Sequence, residues 1–267
     1  MSDRPQPLQA CPTANWAAVR GIFSDIDDTL TRDGEIDPPA LEALQALRAA
    51  GVPVVAITGR PWGWSIPFAR AWPVDAIVAE NGAVALLPDG DALHTEYTQD
   101  EVTRTRNALR LEQVAARLLL EVPGAKLARD SAGRVTDIAV DHSEFAHLDQ
   151  AAIDRVVALM REEGMNATVS SIHINGWYGE HDKLSAAHWM TRRLYGRSLP
   201  DEIGRWVFVG DSTNDQTMFA AFPLSVGVAN LQRFAAQLHS WPAYIASGER
   251  GAGFAEVAAA VLVARRL

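Results

Sequence analysis

Carboxylates gather at two points along this chain, each just after an apolar run. The first is Asp25-Ile26-Asp27-Asp28-Thr29, which follows Val19 to Phe23. Three carboxylates within four residues repel one another. A bound cation relieves that repulsion, and Asp side chains with backbone carbonyls are suitable hard ligands for Mg²⁺. A solvated acidic turn with an Asp helix cap is the plainer reading of the same residues. The second is Gly210-Asp211-Ser212-Thr213-Asn214-Asp215, after Trp206 to Val209. Here Asp211 or Ser212 could simply cap the next helix. Taken together, the two segments would bring Asp25, Asp27, Asp211 and Asp215 to one rim.

Two weaker signals accompany them. Thr58-Gly59-Arg60 also ends an apolar run, Val52 to Ile57. A hydroxyl and a backbone N–H at such a place can grip a phosphate oxygen. Lys183 stands near the start of a helix and could neutralise a nucleophilic carboxylate and a phosphate together. On its own, a lysine is usually a solvated surface group.

The elements that must position these residues follow a βα rhythm. An apolar strand at 19–23, a helix opened by Pro38-Pro39 and stopped by Gly51, a strand at 52–57, a helix at about 62–71 and a strand at 76–79 read as βαβ units around a buried parallel sheet. The pattern changes near Gly82. Runs at 83–87 and 92–97 flank Pro88-Asp89-Gly90-Asp91, a hairpin signal. A long helix at about 100–121, strands at 125–129 and 135–140, a helix at about 149–163 and a strand region at 167–174 suggest an inserted α+β unit with an antiparallel sheet. The βα rhythm then returns with a helix at 181–195, strands at 206–209 and 224–228, and a final helix from Gly253, whose Arg265 and Arg266 suit the negative end of its dipole. The expected division is a leader at 1–18, an α/β core of 19–82 with 180–267, and an inserted domain at 83–179.

Bulk properties limit the partners. The chain has 267 residues, 48% hydrophobic and 21% charged, with a formal net charge of −9. No basic stripe offers nucleic acid a footprint, and the acidic balance disfavours anionic membranes. An anionic substrate would need local cations to approach. The single cysteine, Cys11, has no disulfide partner within the chain, and no cysteine cluster can hold zinc. No signal-length apolar stretch opens the chain and no run of about 18 apolar residues occurs, so the cytoplasm is the expected location.

In order, Asp25-x-Asp27-x-Thr29-Leu30, Thr58, Lys183 and Gly210-Asp211-x-x-Asn214-Asp215 resemble the four motifs of the haloacid dehalogenase superfamily, over about residues 21–228. Thr58-Gly59-Arg60-Pro61 and Glu80-Asn81-Gly82-Ala83 resemble its Cof-like and sucrose-phosphatase-like branch. Asp28 departs from the Gly that many members carry there. The resemblance implies a Rossmann-like core with an inserted C2-type cap, and a phosphatase that uses Mg²⁺. It implies Asp25 as nucleophile, Asp27 as general acid and base, and Thr58 and Lys183 as phosphoryl ligands. It implies a metal held by Asp25, the Asp27 carbonyl and Asp211, with Asp215 acting through water or as a supporting group. Dehalogenases of the superfamily lack the second Asp, so Asp27 favours phosphoryl chemistry.

A small phosphorylated metabolite, a sugar phosphate or sugar-glycerate compound, is the expected substrate. Gly59, Arg60, Asn81, His173, Asn175, Trp177, Lys183 and Asn214 are the candidate substrate contacts. Alternation along a cap strand would equally put some of 171–178 in solvent, and Trp62 and Trp64 are expected to pack. A phosphomutase, a non-catalytic sensor of a phosphorylated ligand and, from Gly210-Asp211-Ser212, a serine esterase are the competing readings. The esterase lacks the N-terminal placement and downstream Asp-x-x-His that would support it.

Overall fold

The computed structural model describes residues 4–265. In chain order the strands are β1 (Gln6–Pro7), β2 (Gly21–Ser24), β3 (Thr31–Arg32), β4 (Glu35–Ile36), β5 (Val54–Ile57), β6 (Ala76–Ala79), β7 (Val84–Asp89), β8 (Ala92–Tyr97), β9 (Asp137–Asp141), β10 (Asn166–Val169), β11 (His173–Trp177), β12 (Trp206–Gly210), β13 (Leu224–Gly227) and β14 (Tyr244–Ile245). The helices are α1 (Thr13–Ala17), α2 (Pro38–Ala49), α3 (Trp62–Ala71), α4 (Glu101–Glu121), α5 (Gln150–Glu162), α6 (Lys183–Tyr195), α7 (Leu199–Glu202), α8 (Gln216–Ala221) and α9 (Arg250–Ala264). Arg265 caps the end of α9, as the charge pattern predicts, while Arg266 lies outside the described residues.

Nine strands form one sheet in the order β1-β14-β13-β12-β2-β5-β6-β7-β8, parallel from β1 through β6. The central strands are apolar throughout because both faces are covered. Ile22, Val54, Val207 and Val226 pack with α2, α3 and α9 on one face, and Phe23, Val55, Trp206 and Phe208 pack with α6 and α8 on the other. Every residue of β2, β5 and β12 is buried. At Gly21 a Cβ would overlap the Trp206 ring on the neighbouring strand, so this position must be glycine for the sheet to close over that indole.

Three expectations are corrected. The 84–97 hairpin is not part of the inserted unit: β7 pairs antiparallel with β6, Val78 opposite Ala85, and β8 forms the sheet edge. The reversal comes at Glu80, Asn81 and Gly82, all with positive φ (50°, 53° and 111°). Second, the leader, expected from its Pro-rich start to be flexible or loosely docked, is firmly packed over its described part, 4–18: Leu8, Cys11 and Trp16 are buried in the core and β1 pairs with β14. Third, the 125–129 run makes only an isolated bridge, Leu127 to Val140, and the 167–174 run is broken by a turn into β10 and β11.

The segment between β8 and α6 builds its own three-stranded antiparallel sheet, β10-β11-β9. Helices α4 and α5 cover one face of it, with Leu111, Leu118, Val156, Leu159, Val140 and Ile174 in a separate apolar cluster. The opposite face carries Asp137, His173 and Asn175 toward the ends of β2, β5 and β12. No described helix is long and apolar enough to cross a membrane.

Candidate active site

The carboxyl ends of β2, β5 and β12 meet at the rim where open α/β sheets bind ligands. Asp25 follows β2, and its N–H donates to the Val209 carbonyl (2.9 Å), which fixes it beside β12. Asp211 follows β12. Asp215, four residues on, folds back so that one carboxylate oxygen accepts the Asp211 and Ser212 N–H groups (2.9 and 3.2 Å). That return is open only because residue 210 is glycine; a Cβ there would overlap the Asp215 carboxylate.

Lys183, at the first turn of α6, completes the cluster. Its ammonium donates to Asp25 at 2.5 Å and to Asp215 at 2.7 Å, and it is 3% exposed. One oxygen each from Asp25, Asp211 and Asp215 lies within 4.8 Å of the others. Three buried carboxylates with one buried ammonium leave uncompensated negative charge. Burial pushes Asp25 up to about 8; Lys183 pulls it back, while Asp215 and Asp27 push it further up. Burial, with Asp25 and Asp215 nearby, holds Asp211 well above the usual carboxylate range. Burial alone would depress Lys183, but Asp215 and Asp25 win and raise it.

Asp211 Oδ1 is buried with no hydrogen-bond partner, while Oδ2 accepts from Asn230 (3.1 Å) and Arg233 (3.4 Å). An orphaned buried carboxylate oxygen beside two more carboxylates is what a hard divalent cation would satisfy. The donor set therefore fits such a cation. Asp215 has both oxygens engaged, one by Lys183 and one by backbone N–H groups, which suits it to holding the other groups in place.

Asp27 lies next to this cluster in a different environment. Arg60 Nε donates to it at 2.9 Å and the Thr58 hydroxyl lies 3.4 Å from its other oxygen. Thr58 is fully buried at the end of β5, and its oxygen also accepts the Arg60 N–H (2.9 Å). The structure thus gathers Asp25, Asp27, Thr58, Lys183, Asp211 and Asp215, drawn from four distant stretches of chain.

The substrate candidates divide. Arg60 spends its guanidinium on carboxylates: Asp27, and across the interface Asp130 (3.2 Å) and Glu144 (2.8 Å). His173 also pairs with Glu144 (2.8 Å), and Asn175 donates to the Gly59 carbonyl (3.2 Å) and to Asp137 (3.0 Å). Asp25, Asp27, Gly59, Arg60, His173, Asn175 and Asn214 are among the residues that enclose a chamber of only about 10 Å³. Trp177 does not line it. Its indole donates to the His181 carbonyl (2.9 Å), and it borders a separate cleft of about 460 Å³ with Asn81, His181, Lys183 and Asn214.

Glu144, Arg134 and Glu80 at this junction were not among the sequence's site candidates, although Glu80 stands in the Glu80-Asn81-Gly82-Ala83 motif. Glu144 is the counter-ion of Arg60 and His173, which together hold it down to about 2 against the opposing effect of burial. Arg134, buried, reaches the Gly59 carbonyl (3.0 Å), Asp137 and Asp130. Glu80, also buried, accepts from the N–H groups of Trp62, Val135 and Thr136 and from the Thr136 hydroxyl (2.5–3.2 Å), and burial raises it to about 7. Asp141-His142-Ser143-Glu144, at and just after the end of β9, is a polar run of the insert that the sequence reading did not single out. Asp28, the departure from the family pattern, has φ 56° and pairs with Arg250 (2.8 Å) and Arg233 (3.1 Å).

Residues 22–122 match the model of the haloacid dehalogenase-like hydrolases. Over that stretch the chain is similar to this family. Curated relatives of the chain carry phosphatase names. A phosphoglycolate phosphatase of Methanothermobacter thermautotrophicus is 28% identical over 241 residues, 89% of this chain and 96% of that protein. One of Halobacterium salinarum is 28% identical over 213 residues, 77% of this chain and 82% of the other. Among solved structures, the Synechocystis sucrose-phosphatase superposes with a TM-score of 0.65 at 18% identity, covering 91% of this chain and 98% of that one. These structural likenesses speak for the fold: a haloacid dehalogenase-like core with a cap.

Proposed function

We propose that this haloacid dehalogenase-like protein is a Mg²⁺-dependent phosphatase acting on a small phosphorylated metabolite, a sugar phosphate, by way of an aspartyl phosphate on Asp25. The observation that carries the reading is the buried meeting of Asp25, Asp211 and Asp215 around Lys183, with Asp27 alongside. A cation held by Asp25, Asp211 and the Asp27 carbonyl, with Asp215 in support, would supply charge neutralisation for an incoming anionic ester. Asp25 attacks phosphorus, which splits one difficult hydrolysis into two steps. Asp27 gives a proton to the departing alcohol and then takes one from the water that releases phosphate. Lys183 and Thr58 bind the transferring oxygens, where charge spreads in the transition state.

The space immediately beside Asp25 is narrow, about 10 Å³ or room for at most one water, while Asp27 and Arg60 also border a neighbouring open cleft of about 520 Å³. A phosphate ester entering from that cleft reaches Asp25 once the cap shifts from the core. The junction suits that motion, because ion pairs and hydrogen bonds rather than an apolar core hold it: Arg60 to Glu144 and Asp130, Arg134 and Asn175 to Gly59, and the Thr213 hydroxyl to the Val169 carbonyl. Closure then excludes water from the first step. A cytoplasmic location belongs to the same proposal.

The test is a screen of phosphorylated metabolites, phosphoglycolate and sugar phosphates included, with Mg²⁺ and a phosphate-release readout. Turnover is expected with at least one, lost on chelation and in Asp25→Asn. Full activity of Asp25→Asn would end the reading.

A further inference from the structure

The end of the sheet remote from the acidic rim carries a second cleft. It opens where Arg20 leads into β2, Val52 and Pro53 into β5, and Asp75 into β6. The other ends of those strands lead to Asp25, Thr58 and Glu80, so a four-residue strand, roughly 13 Å, separates it from the catalytic residues. The cleft holds about 440 Å³ and is lined by Arg20, Arg48, Arg197, Arg265, Asp75 and Tyr195, with the backbone of 51–53 between them. That volume falls in the range of small-molecule sites.

Its charge runs against that of the molecule. In a chain of net charge −9, four guanidiniums from separate segments line one opening with a single carboxylate. Glu202 pairs with Arg20 at 2.7 Å and lies 3.8 Å from Arg197, which still leaves four cations to two anions. The Asp75 carboxylate is engaged by the Val54 N–H (2.8 Å). Arg48 is exposed and makes no ion pair among the described residues.

A second observation is independent of charge. The Tyr195 hydroxyl is buried and has no hydrogen-bond partner. Its ring is held against Trp206, with centroids 5.5 Å apart. A buried hydroxyl without a partner asks for explanation in a native fold, and Tyr195 is among the residues that line the arginine-bearing opening.

We propose that this cleft is a binding site for a small polyanion, a molecule carrying at least two phosphate or carboxylate groups. Planar guanidinium forks match both groups bidentately. The apolar wall, Val52, Pro53 and the tyrosine ring, is too small to select a hydrophobic ligand. The site is separate from the catalytic one and stands or falls independently of the phosphatase reading.

The test is calorimetric titration of the full-length protein with pyrophosphate in a chelating buffer. Saturable binding is expected, about tenfold or more weaker for inorganic phosphate, which has one anionic centre, and for pyrophosphate on the Arg48→Glu/Arg197→Glu variant. Both substituted side chains are exposed, and Arg48→Gln/Arg197→Gln is the milder pair should the reversal fail to fold. Citrate is the second probe: competition with pyrophosphate supports a general polyanion site, and its failure overturns the carboxylate half of the proposal. No saturable binding up to about 10 mM pyrophosphate, or equal affinity in the variant pairs, overturns the whole. A short oligonucleotide binding more tightly than pyrophosphate at the same arginines overturns the small-molecule assignment.

Discussion

Replacing Lys183 by Met tests the electrostatics of the acidic rim directly. The side chain keeps its length and loses its charge. In the unsubstituted protein the ammonium sits 2.5 Å from Asp25 and 2.7 Å from Asp215, all three groups being buried. Removing one partner of a buried ionic cluster leaves uncompensated charge and costs about 3–5 kcal/mol. For a protein of this size, at about 2–4 °C per kcal/mol, the melting temperature should fall by roughly 6–20 °C. The loss must depend on pH. Asp25 is already raised from 3.8 to about 8 by burial, with Lys183 restraining the rise. A folded-state value above the unfolded one means that its contribution to stability is fully present below about pH 4 and is lost as pH rises through about 8. Without Lys183 the same loss steepens, so the variant should suffer most at pH 8 and recover toward pH 5, where a proton replaces the ammonium. Urea denaturation in chelating buffer at both pH values measures this. A loss below about 1 kcal/mol at pH 8, or one that grows as pH falls, would refute the account.

The other predictions concern neighbouring groups. Asp27→Asn should lower kcat by about 10²–10⁴-fold with an alkyl phosphate and by much less with p-nitrophenyl phosphate, whose leaving group needs no proton; steady-state kinetics on the two esters decides it. Glu144, held near 2 by His173 and Arg60 against burial, contributes stability present above about pH 4.5 and lost as pH falls toward 2. Glu144→Gln should flatten that limb of an acid-denaturation curve. His181 is buried against Trp177 with neither ring nitrogen bonded, and burial lowers it to about 4. The protein should lose stability as pH falls from about 6.5 to 4, and a melting-temperature series on His181→Phe should show that limb diminished.

How much of this was legible in the sequence follows from the range of the forces involved. Asp25, Asp27, Asp211 and Asp215 could be marked because each follows an apolar run, and such runs announce strands buried on both faces. Thr58 and Lys183 gained meaning only from their order relative to those four. The helix bounds of α3 and α4 were readable from local periodicity and capping. The partner of the 84–97 hairpin was not. Alternation identifies a strand but not the strand it pairs with, and the deciding feature was the left-handed turn at Glu80, Asn81 and Gly82 that folds β7 back on β6. The docking of the leader was hidden for the same reason: Leu8 and Trp16 are too widely spaced to form a pattern, yet both are buried in the core.

The local order of residues along this chain was enough to specify a parallel sheet with acids at its carboxyl rim, since backbone hydrogen bonding and burial act over a few residues at a time. Tertiary structure decided where each charge finds its counter-charge: Arg60 on Asp27 and Glu144, Arg233 and Arg250 on Asp28, and Arg134 beneath Gly59. Those partners stand up to 222 residues apart. Coulombic pairing depends on distance in space, which no spacing along the chain encodes.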